Sequence, residues 1–466
     1  MKILPQKTIK MEYVSTQLYS FFQRFHVERI LRSANAVKFK GFSAVLIFLV
    51  AVVTAFQHRS FYMTLHLFHY QIDFGKDTFY RFMSSCHTNW RNFTMRLAHE
   101  IIRNVIGPLT SSSRRNVLII DDSVYSRSRS RKVELLTRIY DHAKHCHLCG
   151  FRMLTMGWSD GNTFLPVLSY LLSTSNLKAR INGFSSDVDF RSNGGKQRKL
   201  AVTNANEVVL TFLREAKAEN LPAQHVLFDT WFCSPSSLLA IKEIGYDMVA
   251  MSKKTPRTHY LYNGKMQSVP DIYSQSKKRC GRARYLLSVE AEAVKDGKHV
   301  PIRLVFVRNR KKKKEYLVLV TTDMSLPEEE IIQLYGKRWG IEVFFKVCKS
   351  YLRLSKDCQS LSYDSMTAHV AAVFTRYMFL AVQQRESVDS KSMGELFSLN
   401  AEEIPDLGFV EALQLILDEF MALTKKNFDN KLDEAGALLE TLIEKSMNKF
   451  LNSLPIYWSR NLRKCA

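Results

Sequence analysis

Four side chains in the segment Tyr335-Gly-Lys-Arg338-Trp-Gly-Ile-Glu342-Val-Phe-Phe-Lys-Val-Cys-Lys349 are set apart by steps of three, four and seven residues. On a helix of about 3.6 residues per turn such steps return to roughly the same side, so Tyr335, Arg338, Glu342 and Lys349 are expected to share one face of one helix. Arginine grips a phosphate as a planar fork and lysine as a point charge, while a tyrosine hydroxyl adds an oriented hydrogen bond. Glu342 alone of the four offers a carboxylate to a metal ion. An ordinary amphipathic helix looks similar, with Ile341, Phe344, Phe345 and Val347 buried and the charges solvated. The readings part on whether more carboxylates reach the same point, because two-metal phosphodiester chemistry needs several.

Two short apolar runs end in acid: Asn116-Val-Leu-Ile-Ile-Asp121-Asp122-Ser123 and His225-Val-Leu-Phe-Asp229. Both read as buried strands that deliver carboxylates at their carboxyl ends. On a strand Asp121 and Asp122 point to opposite faces, so only one of them can face a shared site directly.

The Tyr-Arg-Glu-Lys spacing resembles the signature of bacterial DDE transposases of the insertion sequence 4 family. The resemblance implies an α/β fold with a ribonuclease-H-like mixed-sheet core, a β-rich insertion, and helical regions at both ends. It implies Asp122 as the first catalytic aspartate, since that acid is directly followed by a hydroxyl residue, with Asp229 as the second and Glu342 as the glutamate. These three are then the ligands of Mg²⁺, for which Mn²⁺ can substitute, and Tyr335, Arg338 and Lys349 bind DNA. The implied activity is cleavage at terminal inverted repeats and joining of 3′ ends to target DNA, with double-stranded DNA as partner and a homodimer in the synaptic complex. Two other readings stay open: a host nuclease with the same core, and a domesticated DNA-binding protein without activity, whose mark is a missing acid. Related enzymes use an aromatic residue, often Trp in the insertion, to stack on a flipped base. Here no Trp lies between Met251 and Leu326, whereas Tyr260, Tyr262, Tyr273, Tyr285 and Tyr316 do.

The chain of 466 residues carries a formal charge of +23. Such an excess argues for a polyanionic partner, because cations that neutralise phosphates release counterions. Residues 251–326 hold eighteen Lys and Arg against six Asp and Glu, about half of the excess. Eight cysteines are scattered and no signal peptide is apparent, so a reduced, cytoplasmic and nucleoid-associated setting is expected. The segment His142-Ala-Lys-His145-Cys146-His147-Leu-Cys149 gathers five soft-metal ligands but lacks a second pair at zinc-ribbon spacing, and reads as a loop leading into a strand. The apolar stretch 42–56 is too short for the roughly 20 residues of a membrane span, so a buried helix and no membrane partner are expected.

These elements suggest five regions. Residues 1–110 form a helical domain for DNA-end binding, with Arg24, Arg29, Arg32, Lys38 and Lys40 among its cations. Residues 111–250 form the first part of the core, with a hairpin turning at Ser159-Asp160-Gly161-Asn162, a helix over 199–218, and a helix capped by Ser234. A basic insertion over 251–326 and the signature helix over 327–360 follow. Residues 361–466 are helical again, with apolar spacing over 407–423 and 432–451; the family resemblance implies dimer contacts there, and helices that pad the core are the other reading.

Overall fold

The computed structural model describes residues 16–397 apart from 39, 57–61, 63–73, 143, 281–282, 310–314 and 388–391. The expected helices over 407–423 and 432–451 and the basic run 310–314 lie outside the described residues. The chain opens with helices α1 (Thr16–Arg24), α2 (Val27–Ser33), α3 (Ala44–Val53), α4 (Lys76–Met83) and α5 (Trp90–Ile101), the last passing into a π-helical turn at Ile102–Ile106. Helix α3 is apolar on every side, and a helix of that kind must be enclosed. It starts where the Ser43 side chain accepts from the Leu46 N–H, and Ile47 to Val53 are all buried. Phe48 stacks on Trp90 at 5.3 Å and meets Phe93 edge-on at 5.0 Å, which joins α3 to α5.

The rest is built on one sheet of eleven strands. In chain order come β1 (Val117–Ser126), β2 (Thr137–Asp141), β3 (Cys146–Ser159), β4 (Phe164–Leu172), helices α6 (Asn193–Ala201) and α7 (Ala205–Ala218), β5 (His225–Phe228), helix α8 (Pro235–Ile244) and β6 (Asp247–Met251). Strand β3 runs antiparallel to both β4 and β1, while β1, β5 and β6 are mutually parallel. The order β4-β3-β1-β5-β6 with those directions is the ribonuclease-H-like arrangement. Strand β4 is buried at all nine positions, as a strand covered on both faces must be.

After β6 come β7 (His259–Tyr262), β8 (Lys265–Ser268), helix α9 (Val269–Gln275), β9 (Tyr285–Lys295), β10 (Lys298–Arg308) and β11 (Tyr316–Thr321). Because β11 pairs with β6, the basic region prolongs the core sheet in the order β6-β11-β10-β9-β7-β8. Helices α10 (Glu328–Gly336), α11 (Trp339–Ser350) and α12 (Tyr363–Glu386) complete the described chain.

Several sequence expectations are revised. The His/Cys segment is a loop only in its first half: His142, Lys144 and His145 lie in a turn, while Cys146 to Cys149 already begin β3 and pair with β2, a strand that the sequence did not suggest. Successive residues of a strand face opposite ways, so Cys146 and His147 cannot converge. The helix expected over 199–218 is two helices, separated at Val202–Asn204, where Asn204 caps the second by accepting from the Asn206 N–H. Among the described residues α12 is long and apolar enough to cross a membrane by length and composition, and its apolar window is wholly buried in this fold.

Arg376, in the middle of α12, is 1% exposed and has no water to solvate its charge. Its guanidinium donates to the carbonyls of Ala51 and Val52 at the end of α3, to the Leu352 carbonyl just beyond α11, and to Thr54 Oγ1. The two helix-terminal carbonyls are acceptors that the helix itself leaves unpaired. Burial pulls the Arg376 pKa down to about 10 against the opposing charge of Asp357. Arg376→Ala removes the donor to the Val52 and Leu352 carbonyls, while Ala51 keeps its bond from Thr54 Oγ1, and a lower urea midpoint corresponding to about 3–5 kcal/mol is expected from equilibrium unfolding.

Candidate functional site

The signature segment does not form a single helix. Pro327 opens α10, whose first turn carries Glu328, Glu329 and Glu330 against the positive end of the helix dipole. Between α10 and α11 the Arg338 N–H bonds to the Tyr335 carbonyl, the Gly340 N–H to Lys337 and the Ile341 N–H to Arg338, so the backbone tightens to three-residue steps. Lys337 pins the joint by donating to the carbonyls of Arg115 at 2.6 Å and Asp160 at 3.4 Å. The joint keeps Arg338 and Glu342 within reach of each other, and they form an ion pair. Ile341, Phe344, Phe345 and Val347 are buried, as an amphipathic helix requires.

Strand register decides which acid shares that face. Strands β1 and β5 pair in parallel with Val117 opposite His225 and Ile119 opposite Leu227, and the same offset brings Asp121 level with Asp229, just beyond the end of β5. Asp121 Oδ2 accepts from Arg338 Nη1 at 2.9 Å, and Ser123, two residues further on the same face, accepts from Lys349 Nζ at 2.6 Å. Asp122 points the other way. Its two oxygens accept from Arg152 Nη2 and Nε at 2.9 and 2.8 Å, a fork held on the opposite face of β1. Asp122, the aspartate that the sequence resemblance implied, thus faces Arg152, and the acid that stands with Arg338, Glu342 and Lys349 is Asp121. Alternation along β1 left that choice open, and the register against β5 resolves it.

The site is electrostatically crowded. Burial raises the Asp121 carboxyl from 3.8 to about 7 despite the nearby Arg338, and the negative charges of Asp229 and Asp122 add to the rise. Burial likewise lowers the Lys349 ammonium pKa and pushes the Tyr335 hydroxyl up to about 12. The Tyr335 hydroxyl is buried without a hydrogen-bond partner, and its ring centre lies 6.0 Å from the Arg338 guanidinium carbon. Oxygen-only ligands suit a hard divalent cation. In this arrangement, however, the described residues hold no group of three His, Cys, Asp or Glu side chains able to bind one, and Arg338 donates to both Asp121 and Glu342. The acids as they stand do not fit a metal ion.

Sequence reasoning missed a second basic cluster on the Asp122 side. Trp231, two residues beyond Asp229, is 54% exposed, and its ring centre lies 5.3 Å from the Arg152 guanidinium carbon and 5.6 Å from Lys253 Nζ. The three border a polar cleft of about 450 Å³ that also involves Ser173–Ser175 and the amino end of α7. Arg152 sits mid-strand in an otherwise ordinary apolar pattern, and only the cross-strand register links it to Asp122.

A family described as DDE superfamily endonuclease matches residues 34–309, which contain Asp121 and Asp229 while Glu342 lies beyond them. A solved structure described as a piggyBac transposase synaptic complex with hairpin DNA superposes with a TM-score of 0.44 at 15% identity, covering 84% of this chain and 81% of that one. No curated protein matches the chain.

An acid whose folded pKa is raised binds its proton more tightly in the native state, so it favours folding at low pH and loses that contribution as pH rises through the folded value. For Asp121 the window runs from 3.8 to about 7. Wild type should therefore lose thermal stability relative to Asp121→Asn across that window, read as the difference in Tm between the two proteins at each pH. A difference that stays constant would place the Asp121 carboxyl outside the buried, charge-crowded position.

Proposed function

The chain belongs to the DDE superfamily of endonucleases, and from that premise we propose that it is a DNA transposase of an insertion sequence, of the insertion sequence 4 type found in bacteria. It binds terminal inverted repeats in double-stranded DNA, cleaves there and joins the 3′ ends to target DNA. The observation that carries this reading is the meeting of Asp121 and Glu342 through Arg338, with Asp229 level with Asp121 at the neighbouring strand end. A solvated helix face has no reason to aim its cations at buried strand-end acids.

Under this reading Asp121, Asp229 and Glu342 are the catalytic acids, and Arg338 and Lys349 hold phosphates flanking the scissile bond, the first as a fork and the second as a point charge. Tyr335 supplies its unpaired hydroxyl to the same backbone. Arg152 and Lys253, beside Trp231, offer positive charge on the other side of Asp229. Endonucleases of this superfamily generally use divalent metal ions. Mg²⁺ is the ion proposed here, with Mn²⁺ able to substitute. The spread of basic charge supports a synaptic homodimer whose chains each bind one end and present Glu342 and Lys349 to the other. The proposed place of action is the cytoplasm, on the nucleoid.

A nicking assay on end-containing duplexes tests the acids. Asp121→Asn is expected to slow nicking by about 10²-fold or more, the scale seen when a group that stabilises developing charge is removed. Asp122→Asn should cost less, about 10-fold, the low end for a group acting through a neighbour. The reverse order would return the role to Asp122.

Arg338→Ala and Lys349→Ala should each weaken binding of the cleaved end. Each should also lower the slope of log affinity against log salt by about 0.9, the loss of one phosphate contact. Unchanged slopes in a salt titration would put both residues away from DNA.

A further inference from the structure

Two facts about the acidic site pull in opposite directions. Its family works with divalent ions, yet a side chain of the same protein occupies two of its three carboxylates. Arg338 Nη1 donates to Asp121 while Nη2 donates to Glu342, so a single planar fork bridges two acids that come from separate elements, β1 and the first turn of α11. The side chains of Asp121, Arg338 and Glu342 are 16%, 17% and 33% exposed, so water screens this triad only in part. Removing one partner from such a cluster strands the others as uncompensated charge. A cation between the two acids offsets the cost of burying them together.

A guanidinium cannot leave by losing its proton, since it stays charged at any physiological pH. It leaves only if another anion takes it. A phosphodiester is suited to that exchange, since its two free oxygens accept the fork as a carboxylate does. The backbone beneath Arg338 is fixed by the short-step bonds of the joint and by the Lys337 anchor, so the movement required is a side-chain swing. Vacating the space would free the carboxylate oxygens of Asp121 and Glu342, the type of ligand that a hard divalent cation takes.

We propose that Arg338 is an internal counter-ion that closes the acidic site to metal until a DNA phosphate draws it away, so that metal loading is coupled to binding of the DNA end. The inference rests on the proposed reading of Asp121 and Glu342 as metal ligands. Coupling of this kind is reciprocal: DNA tightens metal binding by the factor by which metal tightens DNA binding. A chain without DNA then stays unloaded, and idle hydrolysis away from an end is suppressed.

The test measures Mn²⁺ binding to the full chain by the electron paramagnetic resonance signal of the free ion, with and without a cleaved-end duplex. Arg338→Met is expected to bind Mn²⁺ without DNA more tightly than wild type, by about 5–150-fold, the usual range of coupling between sites. The wild type's gain on adding DNA should exceed the variant's gain by a similar factor. Arg338→Gln provides the same comparison should Arg338→Met fail to fold, and Arg338→Lys, which keeps the charge without the fork, should fall between. Asp121→Asn separates the two levels of the argument. If it weakens Mn²⁺ binding while the Arg338 variants match wild type with and without DNA, the counter-ion role is overturned and the acidic site stands. If Asp121→Asn binds Mn²⁺ as wild type does, Asp121 is no ligand, and both the site reading and the inference fall.

Discussion

Negative charge concentrated at adjacent strand ends is the constraint around which this molecule is arranged. Asp121 and Asp122 are consecutive, and the parallel register brings Asp229 level with the first of them. Three carboxylates so close cannot all remain ionised without nearby cations. The fold answers with one arginine on each face of β1: Arg338 from the joint between α10 and α11, and Arg152 from β3. Strand alternation makes the division necessary, since neighbouring acids point apart and no single cation reaches both.

Holding Arg338 and Glu342 against β1 requires α11 to be fixed at both ends. At its amino end the fixing comes through Lys337, and through Asp160, a carboxylate with no exposed side-chain surface that accepts from the backbone of Asn162 and Thr163, from Thr110 and from Arg385. At its carboxyl end it comes through Arg376, which binds the Leu352 carbonyl and the end of α3 with the same guanidinium. A third buried group, Arg198 with Glu134 and Asp364, ties α6 to the start of α12 and to the segment before β2. Each of these clusters joins elements distant in sequence, and each is buried enough that loss of one member is costly. The amino-terminal helices are thus part of what holds the site's geometry.

Much of this was legible in the sequence because it rests on local rules. Apolar runs ending in acid gave β1 and β5, an all-round apolar stretch gave the buried helix α3, and Ser234 before Pro235 marked the start of α8, whose Ser237 N–H the serine accepts. What stayed hidden depends on pairing between distant strands. The choice between Asp121 and Asp122 turns on register against β5, and the role of Arg152 turns on register against β3. Strand β2 could not be foreseen because the strand it pairs with begins in the stretch of histidine and cysteine that read as a loop. The break at Lys337–Arg338 follows from tertiary anchoring of Lys337, which no helix periodicity encodes.

The aromatic residues show the same dependence on context. Absence of Trp from the insertion left its tyrosines as candidates for stacking on a base, yet the fold engages them. Tyr273 and Tyr316 stack on each other at 4.0 Å with Lys278 and Lys254 against their rings, Tyr260 is fully buried, and Arg279 covers Tyr285. Among the described residues Trp231 and Trp339 are instead the exposed indoles, at 54% and 64% of their surface, one two residues past Asp229 and the other directly after Arg338. An indole is costly to leave in water, and its usual fate is enclosure. Of the two, Trp231 lies against Arg152 and Lys253, so exposed aromatic surface stands at the strand ends, where Arg152 and Arg338 already carry the positive charge.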